Sequence, residues 1–163
     1  MILRKKPVVV VSRCLGFGVC RWNGVALKCR LVDELKDEVD FIPVCPECEI
    51  GLGLPRPPIR LVRKDSALAL IQPETGLELT SKMVGFSEKF LQSLSPVDGF
   101  LLKRKSPSCG LVGIPVYAAP EAEIPSHKNG VGFFAAAVSR YFPSLPKIDE
   151  EYPDPESFLE LLK

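Results

Sequence analysis

Runs of apolar residues along the chain follow two patterns, and the elements they predict come in alternation. Pro7-Val-Val-Val-Val-Ser12 is β-branched without polar interruption, the pattern of a strand covered on both faces, so it is expected at the centre of a parallel sheet. From Val25 to Val39 the residues Leu27, Leu31, Leu35 and Val39 recur at intervals of four with Lys and Glu between them, which predicts an amphipathic helix. Phe41 to Val44 reads as a second short strand, and Glu49 to Pro58 as a loop rich in Gly and Pro. Ile59 to Val62, Leu68 to Ile71 and Leu77 to Leu79 are expected as small strands, the last two joined through Pro73 and Gly76. Thr80 or Ser81 is positioned to cap a helix running to about Leu94. Val97 to Lys103 is the third buried parallel strand of the reading. Val131 to Phe142, apolar nearly all round and small at Ala135, Ala136 and Ala137, is expected as a helix packed closely on a sheet, and Pro155 to Leu162 as a short final helix.

Strands alternating with helices predict an α/β fold, a single domain over residues 1–163 with a mostly parallel, Rossmann-like sheet flanked by helices. The length of 163 residues suits one core. No apolar run approaches the ~20 residues of a spanning helix, so no membrane partner is expected. The charged start, Met1 to Lys6, precedes only Val8 to Ser12 before Arg13, too little for the apolar part of a signal peptide, and a cytoplasmic location is expected. Lys and Arg number 21 against 20 for Asp and Glu, a balance that argues against a nucleic-acid partner.

The chemistry lies in the cysteines. With six Cys and one His, any metal site must be built mainly from thiolates, and in a reducing compartment thiols in this number point to metal or redox chemistry before disulfides. Three expected strands run into a cysteine, at Cys14, Cys45 and Cys109, and in an open parallel sheet the exits of the strands share one edge. The three thiols are therefore expected to converge. Cys45 and Cys48 form one C-x-x-C and no second exists, so a four-ligand zinc site is unforced, while an iron-sulfur cluster on three thiolates would keep one iron open. Cys29, inside the expected first helix, reads as packing. Cys20 and Cys48 are each open as a fourth ligand or a neighbouring thiol. His127 reads as an exposed loop residue, and Lys103, Arg104 and Lys105 as a solvated face or a counterweight to a negative cluster.

Val11-Ser-Arg-Cys14-Leu15, Cys20-Arg-Trp-Asn-Gly24, Pro43-Val-Cys-Pro-Glu47, Gly53-Leu-Pro-Arg-Pro-Pro58, Leu102-Lys-Arg-Lys-Ser-Pro-Ser-Cys-Gly110 and Gly130-Val-Gly-Phe-Phe-Ala135 occur in the order in which they occur in the 2-thiouracil desulfidase (TudS-like) family. The chain resembles that family from about residue 8 to residue 146. The resemblance implies a 4Fe-4S cluster on Cys14, Cys45 and Cys109, with the open iron taking the sulfur of a small thiolated heterocycle. It also implies that Glu47 is the acid/base and Ser106 the catalytic serine. Spacing alone does not choose between Ser106 and Ser108, which flank Pro107; the resemblance chooses Ser106. Arg56 is left open between a contact to substrate and an ion pair. The alternative that the residues leave standing is a noncatalytic zinc- or cluster-binding protein using Cys45, Cys48, Cys14 and Cys109. The stretch Glu121 to Asn129 matches no pattern.

Overall fold

The computed structural model describes residues 5–163, so residues 1–4 of the charged start lie outside it. Four parallel strands form one sheet: β1 (Val8–Ser12), β2 (Asp40–Val44), β6 (Gly99–Leu102) and β9 (Lys147–Asp149), in the order β2-β1-β6-β9. The second sheet is mixed and has five strands, β3 (Arg60–Lys64), β4 (Ala67–Gln72), β5 (Leu77–Glu78), β7 (Ile114–Tyr117) and β8 (His127–Gly130), in the order β5-β4-β3-β7-β8. The helices are α1 (Arg30–Leu35), α2 (Pro46–Glu49), α3 (Thr80–Ser93), α4 (Phe133–Tyr141) and α5 (Pro155–Leu161). The α/β class and the parallel sheet with helices on its faces are as the sequence predicts.

The unalternating run in β1 follows from burial on both faces. Val10 enters a core shared with Phe100, Leu102, Leu61, Ile114 and Phe134, whereas Val9 and Val11 enter the opposite core with Leu31, Leu35, Leu101 and Phe158. The first core packs the parallel sheet against the second sheet, α3 and α4, with Phe86 stacked on both Phe90 and Phe134 between the two helices. Strand β2 is an edge, which is why Pro43 is tolerated within it.

Three expectations need correction. The first helix covers only Arg30–Leu35, because Gly24 takes a left-handed φ of 69° and Cys29 is extended at φ −123° and ψ 112°. Residues 20–28 form a loop instead, and the carbonyl of Trp22 accepts the Arg56 N–H at 2.8 Å. Cys29 thus precedes the helix, although it is buried as packing among Leu31, Val32 and Leu35. Helix α3 starts at Thr80 but has no side-chain cap: the Thr80 hydroxyl accepts the Leu70 N–H at 2.9 Å, completing the edge of β4. His127 belongs to β8, not to a loop, and its Nδ1 accepts the Asn129 N–H at 3.2 Å.

Candidate active site

Strands β1, β2 and β6 are neighbours, and β1 lies where the chain turns first to one side of the sheet and later to the other, the place where ligands bind in such sheets. The exits of all three strands are tied together. The Arg13 N–H donates to the Val44 carbonyl at 2.8 Å, and the Ser12 hydroxyl accepts the Lys103 N–H at 2.8 Å. The resulting loops and the start of the second sheet enclose a cavity of about 340 Å³ lined by Cys14, Cys45, Cys109, Glu47 and Ser106, all five residues singled out from the sequence. Cys20, Arg56 and Ser108 line it as well.

The thiols are crowded. The Cys45 sulfur lies 3.8 Å from the Cys20 carbonyl oxygen, and the neighbouring Cys14 thiol is the main reason the pKa of Cys20 is raised. The neighbouring Cys20 and then burial push the Cys45 thiol up. Burial pushes the Cys109 thiol up to about 12, offset in part by the nearby Ser12 and Ser106 hydroxyls. Cys48 turns toward the Cys20 carbonyl, 3.9 Å from its sulfur, and lies 3.9 Å from Nη1 of Arg56. Among the described residues, no group of three or more His, Cys, Asp or Glu is gathered as if around a single metal ion. Ligands of a cluster sit on different irons and need no such common centre.

Glu47 follows Cys45 on the one-turn helix α2, begun by Pro46 at a position that needs no N–H. Its Oε2 accepts from Nε and Nη2 of Arg56 at 3.0 and 2.6 Å, and its Oε1 accepts from the Ser108 hydroxyl at 3.0 Å. Arg56 is therefore paired with an acid, the second of the two roles left open. The Ser106 oxygen accepts the N–H groups of Ser108 and Cys109 at 3.2 and 2.9 Å. The bond from Ser108 to Glu47 joins positions 61 residues apart, and no spacing in the sequence announces it. Lys103 and Arg104, left open as a solvated face or a counterweight to a negative cluster, line the cavity and pair with Glu150 and Glu151 just beyond β9.

The family model for 2-thiouracil desulfurase matches residues 9–150. The chain belongs to that family. A solved structure of a 4Fe-4S-dependent thiouracil desulfidase, TudS, superposes with a TM-score of 0.69 at 25% identity, covering 96% of this chain and 99% of that one. The uncharacterized protein YbbK of Bacillus subtilis (strain 168) is 29% identical over 110 residues, which are 63% of this chain and 73% of YbbK.

Proposed function

We propose that this member of the 2-thiouracil desulfurase family is an enzyme that removes sulfur from a small thiolated pyrimidine and releases it as hydrogen sulfide by hydrolysis. The observation that carries the reading is the convergence of three strand-exit cysteines and an anchored carboxylate on one cavity. The donor set fits an iron-sulfur cluster: soft thiolate ligands from three separate loops, Cys14, Cys45 and Cys109, would hold it. When bound, a 4Fe-4S cluster with three protein ligands supplies an open iron, a soft Lewis acid suited to a thiocarbonyl sulfur.

The remaining work falls to the chain. Glu47 accepts a proton from water as the water oxygen bonds to the thiocarbonyl carbon, and the same proton later leaves with the sulfur. A carbon–oxygen bond forms, a carbon–sulfur bond breaks, and the two protons of water depart as hydrogen sulfide, so no electrons are exchanged. Ser106 has both acceptor positions filled by backbone N–H groups, so toward the heterocycle it acts only as a donor, through its hydroxyl proton. No helix among the described residues is long and apolar enough to cross a membrane, and the six free cysteines suit a reducing cytoplasm.

Anaerobic purification with iron and acid-labile sulfide analysis, followed by incubation with 2-thiouracil, tests the proposal. Roughly four irons per chain and released sulfide are expected. Glu47→Gln should retain the iron and lose about 10²–10⁴ in kcat, the usual contribution of a positioned base. One zinc per chain with no sulfide release would replace this reading with that of a noncatalytic zinc protein.

A further inference from the structure

Arg56 is one of the few charged side chains that the fold buries, 5% exposed where its partner Glu47 is 13% exposed. Each of its five N–H donors has an acceptor. Nε donates to Glu47 Oε2 at 3.0 Å, and Nη2 donates to the same oxygen at 2.6 Å and to the Cys20 carbonyl at 2.8 Å. Nη1 donates to the Gly53 carbonyl at 3.1 Å and approaches the Cys48 sulfur at 3.9 Å. A guanidinium offers five donors in a fixed plane, so none remains for a substrate. Its backbone N–H is spent on the Trp22 carbonyl. Arg56 therefore keeps no donor for a substrate and acts through Glu47, fixing one oxygen of its carboxylate while Ser108 fixes the other.

We propose that Arg56 is the positioning residue for Glu47, locking its carboxylate against the loop that carries Cys20. The proposal rests on the reading of Glu47 as the base. Removing a group that only aims the base costs rate without costing substrate affinity, because a base displaced by an ångström still admits the substrate but reacts poorly. Lysine supplies the charge but not the planar fork, and restores only part of the effect.

The test compares Arg56→Lys, Arg56→Gln, Glu47→Gln and the double variant Arg56→Gln/Glu47→Gln, all loaded anaerobically and assayed with 2-thiouracil. Arg56→Gln should lose about 100-fold in kcat and Arg56→Lys about tenfold, with KM changed less than about twofold and iron content kept. In the Glu47→Gln background, Arg56→Gln should cost less than about threefold more, since the two act as one unit. In the metal-free protein the NMR signal of the Arg56 Nε–H should be protected from exchange, and Glu47→Gln should shift it. A kcat near wild type in Arg56→Gln, a change confined to KM, losses that multiply in the double variant, or an unmoved Nε–H signal would each overturn the proposal. Loss of iron in both Arg56 variants would also overturn it, because Arg56 would then support the cavity as a whole. Should Glu47→Gln itself turn over like the wild type, the assignment of the base fails, an outcome read from that variant alone.

Discussion

The loop after β6 gives two serines different work. Ser106 accepts two backbone N–H groups, including that of Cys109, whereas the buried Ser108 donates to Glu47. Alanine at 106 leaves two N–H groups without an acceptor beside Cys109. Ser106→Ala should therefore lower the stability of the metal-free protein by about 1–3 kcal/mol in urea unfolding, and Ser108→Ala by less, since the Cys109 N–H keeps its partner. Equal losses would show that the Ser106 oxygen does not organise this turn. The loop also depends on two glycines. A Cβ at Gly132 would lie 2.5 Å from the Ser108 carbonyl oxygen, and one at Gly110 would lie 2.6 Å from that of Ser106. Cys14, Cys45 and Cys109 are legible in the sequence because each follows a strand, whereas Glu47 is legible only through the resemblance to the family. The division between the serines is not legible, since both flank Pro107 and only the turn of the backbone decides which hydroxyl reaches across to α2.

At the level of elements, legibility followed burial. Strands β1 and β6 are covered on both faces and announce themselves as unbroken apolar runs, and α4 and α5 fall within a residue or two of where the pattern puts them. Strands β7, β8 and β9 have three or four residues each, and β8 reads His-Lys-Asn-Gly, held by pairing with β7 and not by any apolar pattern of its own. The first turn expected of α1 is absent because Gly24 and Cys29 leave the helical region, and the loop before it is held by Arg56 at the Cys20 and Trp22 carbonyls, contacts across more than thirty positions that no local pattern encodes. The outer face of the parallel sheet depends on the two short helices α1 and α5, through Leu31, Leu35 and the fully buried Phe158 against Val9, Val11 and Leu101. Truncating that ring leaves a cavity under the sheet but does not touch the strand exits. Phe158→Ala should cost about 3–5 kcal/mol in urea unfolding while the folded fraction keeps its turnover per iron. A loss of turnover per iron in parallel with stability would mean that this face also shapes the site.

For the molecule as a whole, the net charge of +1 conceals a local imbalance. Arg13, Arg21, Arg56, Lys103, Arg104 and Lys105 line the cavity, and even with Arg56 paired to Glu47, Lys103 to Glu150 and Arg104 to Glu151 the cations are in excess, a field that favours thiolates and a negatively charged cluster. Against this field stands burial, which raises Cys109 and, together with the neighbouring Cys20, raises Cys45, so both favour the neutral thiol until a metal displaces their protons. The three proposed ligands belong to loops that leave three adjacent strands, and a cluster would bind them together only in the folded chain. Linkage then requires that loading stabilise the fold. Binding at 100 times its dissociation constant is worth about 2.7 kcal/mol, and at about 2–4 °C per kcal/mol for a chain of this size the loaded protein should melt roughly 5–10 °C above the metal-free one. Cys14→Ser, Cys45→Ser or Cys109→Ser should abolish that difference under anaerobic calorimetry. Cys29→Ala, whose side chain is packed against α1 in the opposite core, should lower both melting points and leave the interval between them intact. If loading left the melting point unmoved, or if Cys29→Ala erased the interval as fully as Cys109→Ser, the ligands would not be the three strand-exit cysteines.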